Sequence, residues 1–261
     1  MYGAYAGDDR PGGVRPVHPP TGEAAVIDRL RSARRDPASV VLEGAHALKH
    51  ALRFGADIEV VATPDPAALD TLLAAIAPDV APAVRRRAVH LDARAWHEAV
   101  GRALPSPAIA VARRPTTDAT DVLSAPGVVV ALEDPRHLGN LGAVVRVAAA
   151  ADAGGVLVVG DADPWHPIAV RGAAGLQFAL PVARTDALPR TDRPLVALDG
   201  QGATLASGGI PPGAVLLVGT ERGGLSVELL RRAGSRVAIP MREGVASLNL
   251  ATAVAIALYA P

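Results

Sequence analysis

Three stretches of the chain, "GVVVALED" from Gly127, "GVLVVGD" from Gly155 and "AVLLVGT" from Ala214, run apolar through consecutive positions instead of alternating. A strand with one wet face alternates apolar and polar residues. One that is apolar throughout is covered on both faces, as happens in a parallel sheet sandwiched between helices. Around these strands lie segments of helical spacing, "AVVRVAAAADAG" after the first, a turn in "HPIAVRGAAG" after the second, and the closing "LATAVAIALYA". "RPLVALDG" and "RVAIPM" add two further strands. The expectation is an α/β unit with a parallel sheet over residues 127–261.

Upstream, a second α/β alternation occupies residues 22–114. Helices are expected in "AAVIDRLRSAR", "AHALKHALRFG", "PAALDTLLAAIA" and "ARAWHEAVGRAL", and strands in "SVVLEG", "IEVVATP", "RAVHLD" and "AIAVARR". "PTTDATDVLSAP", polar and bracketed by prolines, reads as a linker over 115–126. Residues 1–21, rich in Gly, Pro and Asp, read as a disordered leader without the features of a secretory signal.

Composition removes several chemistries. The chain has 261 residues and no cysteine, so disulfides, thiolate nucleophiles and thiolate-held metals are excluded together. No apolar run reaches the length of a membrane span, and the cytoplasm is the expected compartment. A net charge of zero speaks against coating nucleic acid by bulk electrostatics. Lys49 is the one lysine among 26 cationic side chains, a bias that a GC-rich genome explains and that also supplies planar forks for phosphate.

The usual nucleotide and hydrolase signatures fail. There is no GxxxxGK[ST], no GxSxG and no HExxH. "GQGATL", residues 200–205, lacks the third glycine of a dinucleotide fingerprint and is expected to turn after a strand. His46 and His50 have metal-ligand spacing on a helix but no third ligand nearby, so no metal is expected. What remains is three glycine-punctuated loops at the C-terminal ends of strands: "EDPRHLGNLGAVVR" (133–146), "VGTERGGLS" (218–226) and "IPMREGVASLN" (239–249). Ligands of open α/β sheets collect where such loops meet. Together they bring Asn140, Arg146, Glu221, Ser247 and Asn249 to one rim. Ser247 and Asn249 alone are also good helix N-caps.

In combination these loops resemble the SpoU/TrmH branch of the SPOUT superfamily, the RNA ribose 2′-O-methyltransferases. "NLGAVVR" resembles its first motif, "VGTERGGLS" its second and "IPMREGVASLNLATAVAIALY" its third. Thiostrepton-resistance methyltransferases share the layout, and "VVLEGAHALKHALRFGADIEVV" resembles the small ribosomal-protein-like RNA-binding domain that many members carry N-terminally. The resemblance implies a deep trefoil knot in the C-terminal sheet, although chain-topology rules ordinarily discard knots. It implies S-adenosylmethionine as cofactor, held around Gly219, Thr220, Ile239, Met241, Ser247 and Leu248. It implies Arg146, Asn140, Glu221, Ser247 and Asn249 as the catalytic set, and a homodimer packed knot against knot.

The implied reaction is attack of a ribose 2′-hydroxyl of RNA (rRNA first, tRNA second) on a sulfonium methyl. Arg146 is the family's catalytic arginine by position. A guanidinium is too weak an acid to give up its proton at neutral pH, so a positioning role is preferred to that of base. Clusters at Arg31/Arg34/Arg35, Arg85–Arg87 and Arg113/Arg114 are candidates for RNA backbone. Arg136, His137 and the "RGAAG" headed by Arg171 depart from the commoner family pattern. The alternatives are an RNA-binding or ribosome-assembly module without turnover, and methylation of a small molecule or protein on the same scaffold.

Overall fold

The computed structural model describes residues 22–205, 209–220, 223–245 and 247–260; the expected leader and Glu221 lie outside the described residues. The first unit comprises α1 (Glu23–Ala33), β1 (Ser39–Glu43), α2 (Ala45–Arg53), β2 (Ile58–Thr63), α3 (Pro66–Ile76), α4 (Ala81–Arg87), β3 (Ala88–His90), α5 (Ala93–Val100) and β4 (Ile109–Arg113). Its strands form one sheet in the order β1-β4-β2-β3, with β4 antiparallel to both neighbours and β2 parallel to β3. Alternate residues face opposite ways. Val41, Val60, Ile109 and Val111 pack under α1 and α5, while Val40, Leu42, Val61 and Ala110 join α2 and α3. Asp65 and Asp92 cap α3 and α5, accepting from Ala68 N (2.9 Å) and Ala95 N (2.8 Å).

The segment expected as a linker contains a helix, α6 (Ala119–Ser124). Its polar residues form a capping box, in which the Asp118 and Asp121 side chains each accept the other's backbone N–H at 2.9 Å. Polar residues between prolines thus mark a helix start as readily as a loop. Arg193 fastens the end of this helix: its guanidinium donates to the carbonyls of Leu123 and Ala125 (2.8 Å each), Gly213 (2.6 Å) and Gly127.

The second unit runs β5 (Val129–Glu133), α7 (Leu138–Ala150), β6 (Gly155–Val159), α8 (Pro167–Gly172), a 3-10 turn (Leu176–Phe178), β7 (Val182–Thr185), β8 (Leu195–Thr204), β9 (Val215–Val218), α9 (Val227–Arg232), β10 (Ser235–Ala238) and α10 (Leu250–Tyr259). Its six strands are all parallel, in the order β10-β8-β9-β5-β6-β7. Both faces are covered, as consecutive apolar residues require. Val130, Leu132, Val156, Leu216 and Val218 pack with α7, α8 and α10, and Val129, Leu157, Val215 and Leu217 pack with α6 and α9. Each such side chain contributes about 1.5–3 kcal/mol on burial. Because every strand points the same way, the loops after β5, β8, β9 and β10 emerge at one edge.

"GQGATL" is a turn inside a strand. The register of β10 against β8 passes from Arg236↔Ala197 straight to Val237↔Ala203. The intervening residues leave the ladder, with Asp199 Oδ1 accepting from Gln201 N at 2.9 Å. The turn expected after the strand is thus an excursion from it.

The two units share a seam. One apolar cluster continues from β1 and α2 to α7, α8 and the second sheet. His50 Nδ1 lies 2.8 Å from the carbonyl of Ala174. Arg114 reaches Asp163 at 3.0 Å. Buried Glu43 is bonded by Arg102 from the first unit and by Arg171, 3.5 Å away on α8. Gly175 adopts φ +76° with its Cα so close to α2 that a Cβ would lie 2.4 Å from the Ala47 carbonyl oxygen. No helix among the described residues is long and apolar enough to cross a membrane.

Candidate active site

At the edge where the parallel strands end, three segments enclose a cavity of about 160 Å³. Its floor is apolar, from Leu198, Val218, Leu250 and Ala253. Its walls are Gly219, Thr220 and Gly224 from the loop after β9, and Ile239, Met241, Ser247 and Leu248 from the segment between β10 and α10. Asp199 and Gly200, from the excursion in β8, close the remaining side. All six residues assigned to cofactor binding in the sequence therefore surround one cavity. The residues that sequence reasoning missed are those of β8. Their signal was present in the two glycines of "LDGQGA", which follow an apolar strand at the same sheet edge as the three recognised loops.

The loop after β9 folds tightly over itself. Thr220 and Gly224 exchange two backbone hydrogen bonds of 3.1 Å. The strap presses on Gly219, where a Cβ would sit 2.0 Å from the carbonyl carbon of Gly224. Any side chain at 219 would force the strap off the cavity wall. Farther along, Ser226 N donates to Glu133 Oε2 at 2.7 Å, tying the strap to the end of β5. Ser226 Oγ then caps α9 by accepting from Leu229 N at 3.2 Å.

Asn249 combines two functions. Its Oδ1 accepts from Ala251 N (3.0 Å) and Thr252 N (3.3 Å), which makes it the N-cap of α10. Its Nδ2 donates to Asn140 Oδ1 at 3.1 Å, joining the start of α10 to the first turn of α7. Asn140, Ser247 and Asn249 are thus gathered at the cavity and its rim. Arg146 is not among the cavity's lining residues. It lies six residues beyond Asn140 on α7, about 9 Å along the axis, on an exposed face. Its guanidinium has no hydrogen-bond or ion-pair partner among the described residues. It lies close enough to α2 that its charge, with burial as the larger cause and Lys49 as another, holds the His46 imidazole below its usual value.

A largely apolar cavity with Ser247, Thr220 and Asp199 among its lining residues suits a small ligand with an apolar body and polar substituents. Among the described residues no group of three His, Cys, Asp or Glu side chains is placed to hold a metal. His50 bonds the Ala174 carbonyl.

The family model described as "SpoU rRNA Methylase family" matches residues 127–259, which carry the cavity and its rim. The chain is 34% identical over 151 residues to a protein of Streptomyces azureus named 23S rRNA (adenosine(1067)-2′-O)-methyltransferase, covering 53% of this chain and 55% of that protein. The chain covers between 26% and 57% of the length of the first curated relatives that it matches. Among solved structures, one titled as an AdoMet-bound rRNA methyltransferase from Sinorhizobium meliloti superposes with a TM-score of 0.69 at 28% identity, covering 90% of this chain and 92% of that one. The SpoU methyltransferase AviRb from Streptomyces viridochromogenes shares the fold at 22% identity and a TM-score of 0.71, covering 89% of this chain and 95% of that one. The parallel sheet, the three loops at its edge and the match over residues 127–259 agree: this chain belongs to the SpoU rRNA methylase family.

Proposed function

We propose that the chain is an S-adenosylmethionine-dependent RNA methyltransferase that methylates a ribose 2′-hydroxyl, of rRNA in the first place and of tRNA in the second. The observation that carries this reading is the cavity itself, most of whose lining residues come from the segments that resemble the family's second and third motifs. The Streptomyces azureus relative, named for 2′-O-methylation of rRNA, and the Sinorhizobium meliloti structure, titled as AdoMet-bound, support it.

Bound there, the cofactor supplies a methyl group already activated on a sulfonium. Leu248 and Val218 give the adenine an apolar surface and keep water out, and the backbone around Gly219, Thr220, Ile239 and Met241 supplies hydrogen-bonding groups. Asn140 and Asn249 hold the rim at a fixed width, so that donor and acceptor meet in line. Ser247 faces the reacting centre; Glu221, which the resemblance places in the catalytic set, lies outside the described residues. Arg146 holds the target phosphate or ribose, while the 2′-hydroxyl proton leaves to water or another side chain.

The finer architecture belongs to the same proposal. The C-terminal segment is knotted, a reading supported by the placement of β9 between β5 and β8 and by the return of residues 239–249 to the cavity. Two copies form a homodimer, supported by the exposed Ile256 and Tyr259 on the otherwise apolar α10. The first unit selects the RNA, and the protein acts in the cytoplasm.

The test is calorimetric titration with S-adenosylmethionine of the wild type and of Leu248→Arg. Micromolar binding by the wild type, lost in a variant with unchanged circular dichroism, is the expected outcome. A folded wild type that takes up no cofactor, with or without RNA, overturns the enzyme reading in favour of an RNA-binding module.

A further inference from the structure

Half of the arginines that the sequence nominated for RNA are paired with carboxylates within the fold. Arg31 pairs with Glu98, Arg85 with Asp70, Arg113 with Asp57 and Arg114 with Asp163. The seam between the two units is different. There the Glu43 carboxylate, 4% exposed, is shared by Arg102 through one terminal nitrogen and by Arg171 through another. The arginine side chains themselves remain 46% and 38% exposed. Two guanidinium groups against one carboxylate leave a net charge of +1, and each arginine retains N–H donors directed away from Glu43.

We propose that Arg102 and Arg171, oriented by the buried Glu43, form a seat for a phosphate of the RNA backbone at the seam between the two units. A guanidinium fork matches phosphate oxygens in pairs, and a fork already fixed by a carboxylate loses less freedom on binding. The surroundings add positive charge: α2 begins directly after Glu43 and Gly44 and carries Lys49 within its first two turns. The seat also stands beside the reaction site. Gly172, next to Arg171, packs on the backbone of Gly139 and Gly142 in α7, the helix that carries Asn140 and Arg146. A phosphate held there belongs to a nucleotide flanking the target ribose. This assignment rests on the RNA methyltransferase reading and adds a second substrate contact to that of Arg146.

The test is filter binding of a labelled 23S rRNA transcript between 50 and 200 mM salt, with cofactor titration run in parallel. Arg102→Gln/Arg171→Gln is expected to weaken RNA binding about five- to tenfold and to reduce the slope of log K against log salt by about 0.7–0.9 for the lost phosphate contact. Cofactor affinity is expected to stay unchanged. Because that variant leaves a buried carboxylate unpaired, Arg102→Gln/Glu43→Gln/Arg171→Gln serves as a second, with three neutral amides in place of the ionic cluster and the same direction of change. Folded variants with wild-type affinity and salt slope overturn the seat, as does a wild type that binds cofactor but not the transcript. A protein that binds the transcript with the expected slope changes but takes up no S-adenosylmethionine overturns the methyltransferase reading and leaves the seat standing.

Discussion

At the scale of single residues, Asn249 shows how one side chain can cap a helix and bridge to a second helix at once. Its oxygen caps α10 and its amide nitrogen reaches Asn140, so the two functions use different atoms. Substitutions can therefore separate them. Asn249→Ala removes both and is expected to cost about 0.5–2 kcal/mol in urea denaturation, along with a loss of methyl transfer. Asn249→Asp keeps an oxygen cap without a donor for Asn140, so stability is expected to stay near wild type while the transfer rate falls. Equal losses of stability in both variants are the contrary result. Within its own segment this residue reads first as a helix cap, and only the three loops together make it a site candidate, because spacing within one segment carries no information about a partner 109 residues away. The same holds for Leu198 and Asp199, which enter the cavity only through a break in strand pairing.

At the scale of elements, the continuous apolar strands were legible because burial on both faces leaves no freedom for polar residues. β7 was not: it lies at the sheet's edge, and Arg184 and Thr185 give it a polar half. α6 and α9 are six residues each, too short to establish a helical period. α6 depends on one side chain at a distance. Arg193 satisfies four carbonyls around the start of β5, and its half-buried guanidinium is held below its usual pKa by that burial. Arg193→Ala is expected to lower stability by about 1–3 kcal/mol in chemical denaturation. Arg193→Lys should recover little of it, because an ammonium lacks the fork that spans four acceptors. Full recovery by lysine would assign the effect to charge alone.

At the scale of the whole molecule, the seam makes the two units one body, and a histidine at that seam gives it a dependence on pH. Burial holds His50 below its ordinary 6.5, and the charges of Lys49, Arg53 and His46 add to it, against the opposing hydrogen bond to Ala174. A lowered histidine binds its proton more weakly in the folded state than in the unfolded one. Its contribution is therefore present above about pH 6.5 and is lost as pH falls below that value. Urea midpoints measured from pH 7.5 to 5 are expected to fall less steeply for His50→Gln, which retains a donor for Ala174, than for the wild type; parallel curves would exclude His50 as the source. The proposed dimer has its own check. Ile256→Glu is expected to shift sedimentation from dimer to monomer.

The strand order also sets a schedule. β5, β6 and β7 are neighbours in the chain and can pair as soon as they are made, but the free side of β5 awaits β9, with Val129 joining Val215 across 86 residues. β8 is made earlier than β9 yet pairs only with β9 and β10, so it has no partner until they appear. During synthesis on the ribosome, two apolar strand edges consequently stand open for the time needed to make the rest of the chain. Closing so distant a contact is slow, and open edges invite pairing with other chains. The segment from β9 to α10 completes both the sheet and the cavity, so a chain cut before it forfeits its candidate site and its folding together.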